Sequence, residues 1–299
     1  MSEILLDVQH LSHSFKLDKH TIIKAVDDVS FQMKKGEIFG LVGESGSGKS
    51  TVARCIMNVY QPAAGKILYN GINTCHKAEY RANHKMLEAR RQIIFQDSTS
   101  SLNQRMKAAE IIPEPMKIHH IRPPRGSYRE EARFQLKYVG MDAEYLDKYP
   151  AEMSGGQRQR VAIARALSME PELLIADEPV ASLDVSIQAQ IINLFKHLQA
   201  EHGFTFLFIA HDLAMVEYLC HRVGVMYRGK LVEIAPTEKL FADPQHPYTR
   251  ALLSAIPLPD PIAERKRQHI NFDELTFDTE GTMQEVSPDH FVLKKEAGV

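Results

Sequence analysis

The sequence is short of cysteine, short of net charge and without long apolar runs, and each shortage removes a class of protein. Its three cysteines, Cys55, Cys75 and Cys220, are odd in number, far apart and without C-x-x-C spacing. That pattern excludes a disulfide scaffold or a zinc ribbon and fits reduced thiols in a cytosolic protein. Acids number 38 and bases 36, for a net charge of -2, so nothing points to nucleic acid or an anionic membrane as partner. No apolar run reaches the roughly 20 residues a membrane helix needs. The stretch Phe204-Thr205-Phe206-Leu207-Phe208-Ile209-Ala210 is among the longest. The N-terminus has no basic segment followed by an apolar one, so no secretion signal is expected. Internal repeats and low-complexity tracts are also missing. What remains is 299 residues, 44% hydrophobic and 25% charged, enough for one large or two modest globular domains.

Three short segments carry chemistry. Gly43-Glu44-Ser45-Gly46-Ser47-Gly48-Lys49-Ser50 is a complete G-x-x-x-x-G-K-[ST] phosphate loop, followed by Thr51. It lies after the apolar strand candidate Ile38-Phe39-Gly40-Leu41-Val42 and before a helix expected from about Lys49 to Tyr60, the context that separates a working loop from a plain glycine turn. Glycine backbone and a helix N-terminus aim N–H groups at phosphate oxygens, Lys49 is expected at the β- and γ-phosphates, and the Ser50 hydroxyl at Mg²⁺. Second, Leu173-Leu174-Ile175-Ala176 runs into Asp177-Glu178, two acids at a strand end where parallel sheets bind ligands. Asp177 is the expected magnesium ligand and Glu178 the base for the attacking water. Third, Met153-Ser154-Gly155-Gly156-Gln157 opens a helix with a serine cap and two glycines, a second phosphate site without a phosphate loop of its own.

In order and spacing these three segments resemble the ABC-type ATPases. The resemblance implies a P-loop α/β core with a mostly parallel sheet, an N-terminal antiparallel β subdomain and an inserted α-helical subdomain. It implies ATP and Mg²⁺ as ligands. It also implies roles for four further positions. Gln96, after Ile93-Ile94-Phe95, matches the glutamine that contacts Mg²⁺ and water; His211, after Phe208-Ile209-Ala210, matches the γ-phosphate switch histidine. Asp184, in Ser182-Leu183-Asp184, matches the loop that crosses a dimer interface, and Phe15 sits where relatives stack an aromatic on adenine. The Ser154–Gln157 cap then covers ATP held by another subunit, so each nucleotide is expected between two chains. Met153 stands where leucine is commoner, a conservative change.

Along the chain, alternating apolar residues in Leu5-Leu6-Asp7-Val8-Gln9-His10-Leu11 and Val26-Asp27-Asp28-Val29-Ser30-Phe31 read as antiparallel strands. Residues 97–152 change character, with many charges and with Pro113, Pro115, Pro123, Pro124 and Gly126 as breakers, and read as the helical insertion. The ATPase domain is expected over 1–260. Residues 261–299, polar and poorly periodic, read as an extension packed on the surface or partly loose.

Phe95-Gln96-Asp97, Ser101-Leu102-Asn103-Gln104-Arg105-Met106, Glu114-Pro115 and His246-Pro247-Tyr248-Thr249-Arg250-Ala251-Leu252-Leu253 look like the oligopeptide and dipeptide importer ATPases, most like their F-type branch. That implies a peripheral subunit at the cytoplasmic face of the cell membrane. Its expected partners are a second, distinct D-type ATPase subunit, two membrane-spanning permease subunits and an extracytoplasmic substrate-binding protein. The helical insertion is the expected dock for the membrane subunits. Ser98 and Gln104 depart from the usual proline. Cysteine is absent after Cys220, so the iron–sulfur group of some relatives is not carried over. The same subfamily also serves nickel, glutathione and opines, and these remain open as cargo. A soluble, non-transport ABC ATPase fits less well, because this chain has one cassette and no heptad run.

Overall fold

Apolar runs of five residues set the frame of this computed structural model, which describes residues 3–16, 18, 21–255 and 279–295. The chain divides into two compact units. One is Ile72–Leu207 with short pieces near Glu3 and Lys34–Gly36; the other joins Ile4–Met33, Glu37–Gly71 and the chain from Phe208 on.

In the second unit β1 (Ile4–Lys16) and β2 (Ile22–Lys34) are long strands whose inward residues, Leu6, Val8, Leu11, Val26, Val29 and Met33, are fully buried. Alternation thus hides one face and leaves the other polar. The strand β3 (Ile38–Val42) is buried at every position. The antiparallel partner of β1 is β4 (Ala64–Tyr69), with Val8 opposite Ile67. The order β2-β1-β4 is the antiparallel subdomain the alternation predicts. The helix after the phosphate loop ends at Ile56, shorter than the expected reach to Tyr60, and a turn follows it.

The first unit contains the short strand β5 (Ile72–Asn73), then helix Lys77–Arg90 and β6 (Arg91–Ile94). Residues 97–152 hold five short helices and one three-turn helix, Tyr128–Tyr138, capped where the Ser127 hydroxyl accepts the Glu130 N–H. After helix Gly155–Leu167 comes β7 (Leu173–Asp177), parallel to β6 with Ile93 opposite Ile175. Helix Val185–His202 leads into β8 (Thr205–Ile209), again buried throughout. Burying side chains such as Phe206 and Phe208 stabilises the fold by about 1.5–3 kcal/mol each.

Back in the second unit, β9 (Arg222–Tyr227) runs parallel to β3, and β10 (Lys230–Pro236) folds back antiparallel on β9. Within the extension a hairpin, β11 (Thr282–Ser287) and β12 (His290–Lys294), adds to the β10 edge through Glu233 opposite Val292. The expectation of a packed or loose extension over 261–299 falls for residues 261–278 and 296–299 outside the described residues. No helix among the described residues is long and apolar enough to cross a membrane.

A buried carboxylate organises this edge. Glu233 is 0% exposed; its Oε1 accepts from Gln245 N–H at 2.8 Å and pairs with His290 Nε2 at 2.7 Å, and its Oε2 accepts from His246 N–H at 2.9 Å. His246 in turn caps helix Pro247–Ser254, its Nδ1 accepting the Tyr248 N–H at 3.1 Å. That bond needs a lone pair on Nδ1, so it requires the neutral ring. Burial agrees, holding His246 down to about 4 against the nearby Glu233 charge. Between pH of about 6.5 and about 4 the unfolded chain therefore binds a proton that the folded chain refuses, and stability falls as pH falls through that window. The loss expected across it is about 3 kcal/mol. His246→Asn keeps a cap acceptor without a proton to gain. Urea melts between pH of about 7.5 and about 4.5 should show a flatter pH dependence for that variant than for the parent.

Candidate functional site

Residues 43–48 turn between β3 and helix Lys49–Ile56. Gly48 is the N-cap at φ 104°, and a β-carbon there would lie 2.2 Å from the Ala25 carbonyl oxygen, so only glycine lets the helix begin against β2. Lys49, 3% exposed, folds its ammonium into the loop, donating to the carbonyl oxygens of Gly43 and Glu44 at 2.8 Å each and to Ser47 Oγ at 3.3 Å. Ser47 N–H closes the turn onto the Glu44 carbonyl at 3.2 Å. A buried cation beside the positive end of a helix is a place built for an anion, since both fields favour negative charge. Glu44, Ser45 and Gly46 are exposed at the loop's rim, while Ser50 and Thr51 are half-buried in the helix's first turn.

Two other candidates lie in this unit. Ala210 N–H reaches the Leu41 carbonyl at 3.4 Å, so His211, exposed, follows the end of a strand that runs beside β3. Phe15 is half-buried and set edge-on to Tyr60 at 5.4 Å and to His13 at 4.8 Å. It is one member of an aromatic group that the sequence pattern did not disclose.

The remaining candidates belong to the first unit. Asp177, 3% exposed, ends β7. Glu178, half-buried, sits at φ 49° immediately before Pro179. A left-handed backbone is uncommon for glutamate, and a following proline ordinarily pushes its neighbour to extended conformations. Such strain costs on the order of 1–3 kcal/mol and collects at functional sites. Gln96, exposed beyond β6, donates its Nε2–H to Glu178 Oε2 at 3.0 Å. The pairing of β6 with β7 in register is what brings these two residues, far apart in sequence, to adjacent strand ends.

Ser154 and Gln157 form a reciprocal capping box: Ser154 Oγ accepts the Gln157 N–H at 3.3 Å and Gln157 Oε1 accepts the Ser154 N–H at 2.9 Å. Gln157 Nε2 also donates to Tyr145 Oη at 2.7 Å, so its amide fixes the cap to the insertion. Ser154 itself is exposed. Gly156 has a different task, since a β-carbon there would meet Ile187 Cγ2 at 2.5 Å. Helices Gly155–Leu167 and Val185–His202 cross at that point, and Gly155 lies close to Leu183. Asp184 caps the second helix, accepting the Ile187 N–H at 3.0 Å, and is exposed. The Ser154 cap and the Asp184 loop thus share one packed corner. Tyr145 and Ile187 support it and carry no motif of their own. Arg165 ties the same helix to the insertion through the Ser101 carbonyl at 2.7 Å.

Comparison with known proteins gives the family of the chain. Residues 26–181 match the family model described as ABC transporter, and residues 232–278 match that of the oligopeptide/dipeptide transporter, C-terminal region. The chain is 50% identical to an oligopeptide transport ATP-binding protein, OppF, of Bacillus subtilis (strain 168), over 99% of this chain and 98% of that protein. It is 42% identical to a dipeptide transport ATP-binding protein, DppF, of Lactococcus lactis subsp. cremoris (strain MG1363), covering 98% of this chain and 95% of that one. Among solved structures, the dimeric post-hydrolysis state of the ATP-binding cassette MJ0796 bound to ADP and Pi superposes with a TM-score of 0.68 at 28% identity, covering 78% of this chain and 99% of that one. With one family model over more than half of its length and close relatives along nearly all of it, the chain belongs to the ABC transporter family, among the ATP-binding proteins like OppF and DppF.

Proposed function

We propose that this chain binds ATP with Mg²⁺ and hydrolyses it to drive the import of oligopeptides or dipeptides, as a peripheral subunit at the cytoplasmic face of the cell membrane. The observation that carries the reading is the Gln96–Glu178 pair on its strained turn, in a chain that also folds Lys49 into a phosphate loop. Lys49 exchanges its loop carbonyls for the β- and γ-phosphate oxygens. Residues 43–51 cradle the phosphates through their N–H groups and hydroxyls. Glu178 accepts a proton from the attacking water, and the Gln96 amide orients that carboxylate. Phe15 stacks on the adenine, and His211 reads the γ-phosphate.

The hydroxyl of Ser50, the Asp177 carboxylate and the Gln96 amide oxygen are hard oxygen donors of the kind Mg²⁺ takes alongside phosphate. The amide orientation fits, because Gln96 turns its nitrogen to Glu178 and keeps its oxygen for a cation. Bound Mg²⁺ supplies charge neutralisation at the transferring phosphoryl group.

Ser154 and Asp184, both exposed, face a second ABC ATPase subunit, a distinct D-type chain, and with it enclose each nucleotide, while Gly155 and Gly156 open the helix behind Ser154. The dimeric, product-bound state of the related cassette supports that reading. We assign 1–260 to the ATPase domain, with the helical insertion at about 97–152 docking on two permease subunits, and 261–299 to an extension. A substrate-binding protein outside the membrane chooses the cargo. The names of the relatives favour peptides over nickel, glutathione or opines. Mass spectrometry of the ligand carried by the binding protein of the purified assembly is expected to find peptides. Nickel, glutathione or an opine there would reassign the cargo, and purification without any membrane subunit would point to a non-transport ATPase.

A further inference from the structure

Tyr248 reaches the phosphate loop from far along the chain. Its side chain is buried, 2% exposed, with the ring tilted on Tyr227 at 4.4 Å. Its hydroxyl oxygen accepts the Glu44 N–H at 3.0 Å. On the other side of the same residue, the Glu44 carbonyl accepts from Lys49 at 2.8 Å. The main chain at Glu44 is therefore held by two side chains, although the Glu44 side chain itself is exposed.

The seat of Tyr248 is built in turn. Glu233 takes the N–H groups of Gln245 and His246, His246 takes the N–H of Tyr248, and Pro247 starts the helix. His290, from the C-terminal hairpin, closes on the same carboxylate. Glu233, His246 and Tyr248 all fall within the region matching the oligopeptide/dipeptide transporter C-terminal model, residues 232–278. This part of the chain is thus wired to the phosphate loop by a continuous series of hydrogen bonds.

We propose that Tyr248 is a positioning residue for nucleoside di- and triphosphates: seated by Glu233 through the start of helix Pro247–Ser254, it holds the Glu44 peptide so that the remaining loop N–H groups are aimed before a phosphate arrives. The inference rests on ATP occupying this loop. A phosphate loop binds by the direction of successive N–H groups, so a peptide free to rotate at its entry loses aim for those that follow. When phosphate draws Lys49 off the Glu44 carbonyl, the Tyr248 contact still holds the peptide. Burial pushes the hydroxyl up to about 12, which keeps it neutral at any physiological pH. Because the loop keeps its shape from ground state to transition state, the effect falls on binding and leaves the chemical step alone.

Tyr248→Phe keeps the ring on Tyr227 and removes the hydroxyl that accepts the Glu44 N–H. In the assembled transporter the Kd values for ATP and ADP and the KM for ATP should all rise about 5- to 10-fold, with kcat within about twofold of the parent. A merely structural role would instead lower the melting temperature without nucleotide and leave KM alone. Nucleotide affinity and KM within about twofold of the parent would overturn the proposal. Amide hydrogen exchange on the parent chain gives an answer even where the variant does not fold: Glu44 N–H should be protected without nucleotide, and exchange at the rate of an open loop would equally overturn it. A parent chain that bound no ATP, or a Lys49→Ala chain that bound it normally, would remove the reading of the loop itself. Normal parent binding with an unaltered Tyr248→Phe removes only the role of Tyr248.

Discussion

Glu178→Gln in the assembled transporter is expected to bind ATP as the parent does and to hydrolyse it about 10²–10⁴-fold more slowly. The amide keeps the size of the carboxylate and its strained place before Pro179, and can still meet the Gln96 amide through its oxygen. It cannot accept a proton from water. Losing a positioned base removes a contribution made only in the transition state, so kcat falls and affinity does not. Phosphate release and equilibrium nucleotide binding, measured on the same preparation, separate the two. A parent-like hydrolysis rate would transfer the base to another residue.

Lys49→Ala should fail one step earlier. Its ammonium has two consequences: it donates to the Gly43 and Glu44 carbonyls in the present arrangement, and it is the cation we assign to the β- and γ-phosphates. A hydrogen bond to a charged group contributes about 1.5–3 kcal/mol, and two such contacts correspond to at least a 100-fold loss of affinity. Titration of ATP onto the variant should therefore show Kd rising by about 100-fold or more, with hydrolysis lost in proportion at low ATP. Full-strength binding would mean that the loop's main chain alone carries the phosphates.

These two residues were legible in the sequence because their chemistry is local. The phosphate loop needs a strand, a glycine turn and a helix in succession, and all three are written within residues 38–56. Helix Gly155–Leu167 was equally legible from its serine cap and its helix-forming residues. Helix Lys77–Arg90 was not, since its only fully buried side chain is Leu87 and no apolar stripe marks it. The hairpin at 282–294 was hidden among polar residues, although Pro288-Asp289 at its turn and the alternation of His290-Phe291-Val292-Leu293 were available as signals.

Long-range partnerships were the least legible part. Nothing near Gly156 foretells Ile187, and nothing in Gly43-Glu44-Ser45 foretells Tyr248. Gln157 illustrates the same limit. Its motif marks it as a nucleotide contact, while its side-chain amide in this structure is spent on the Ser154 cap and Tyr145. Backbone strain at Glu178 is likewise a property of the fold around Pro179 and the end of β7, with no trace in residue type.

The central claim, that hydrolysis at Glu178 drives peptide import, is tested most directly by following phosphate release and labelled-peptide uptake together in vesicles that contain the whole assembly. With ATP on the side of this chain, the two rates should rise together in the parent and fall together when this chain carries Glu178→Gln. Peptide accumulating at the parent rate with that variant, or with ATP withheld, would contradict the account.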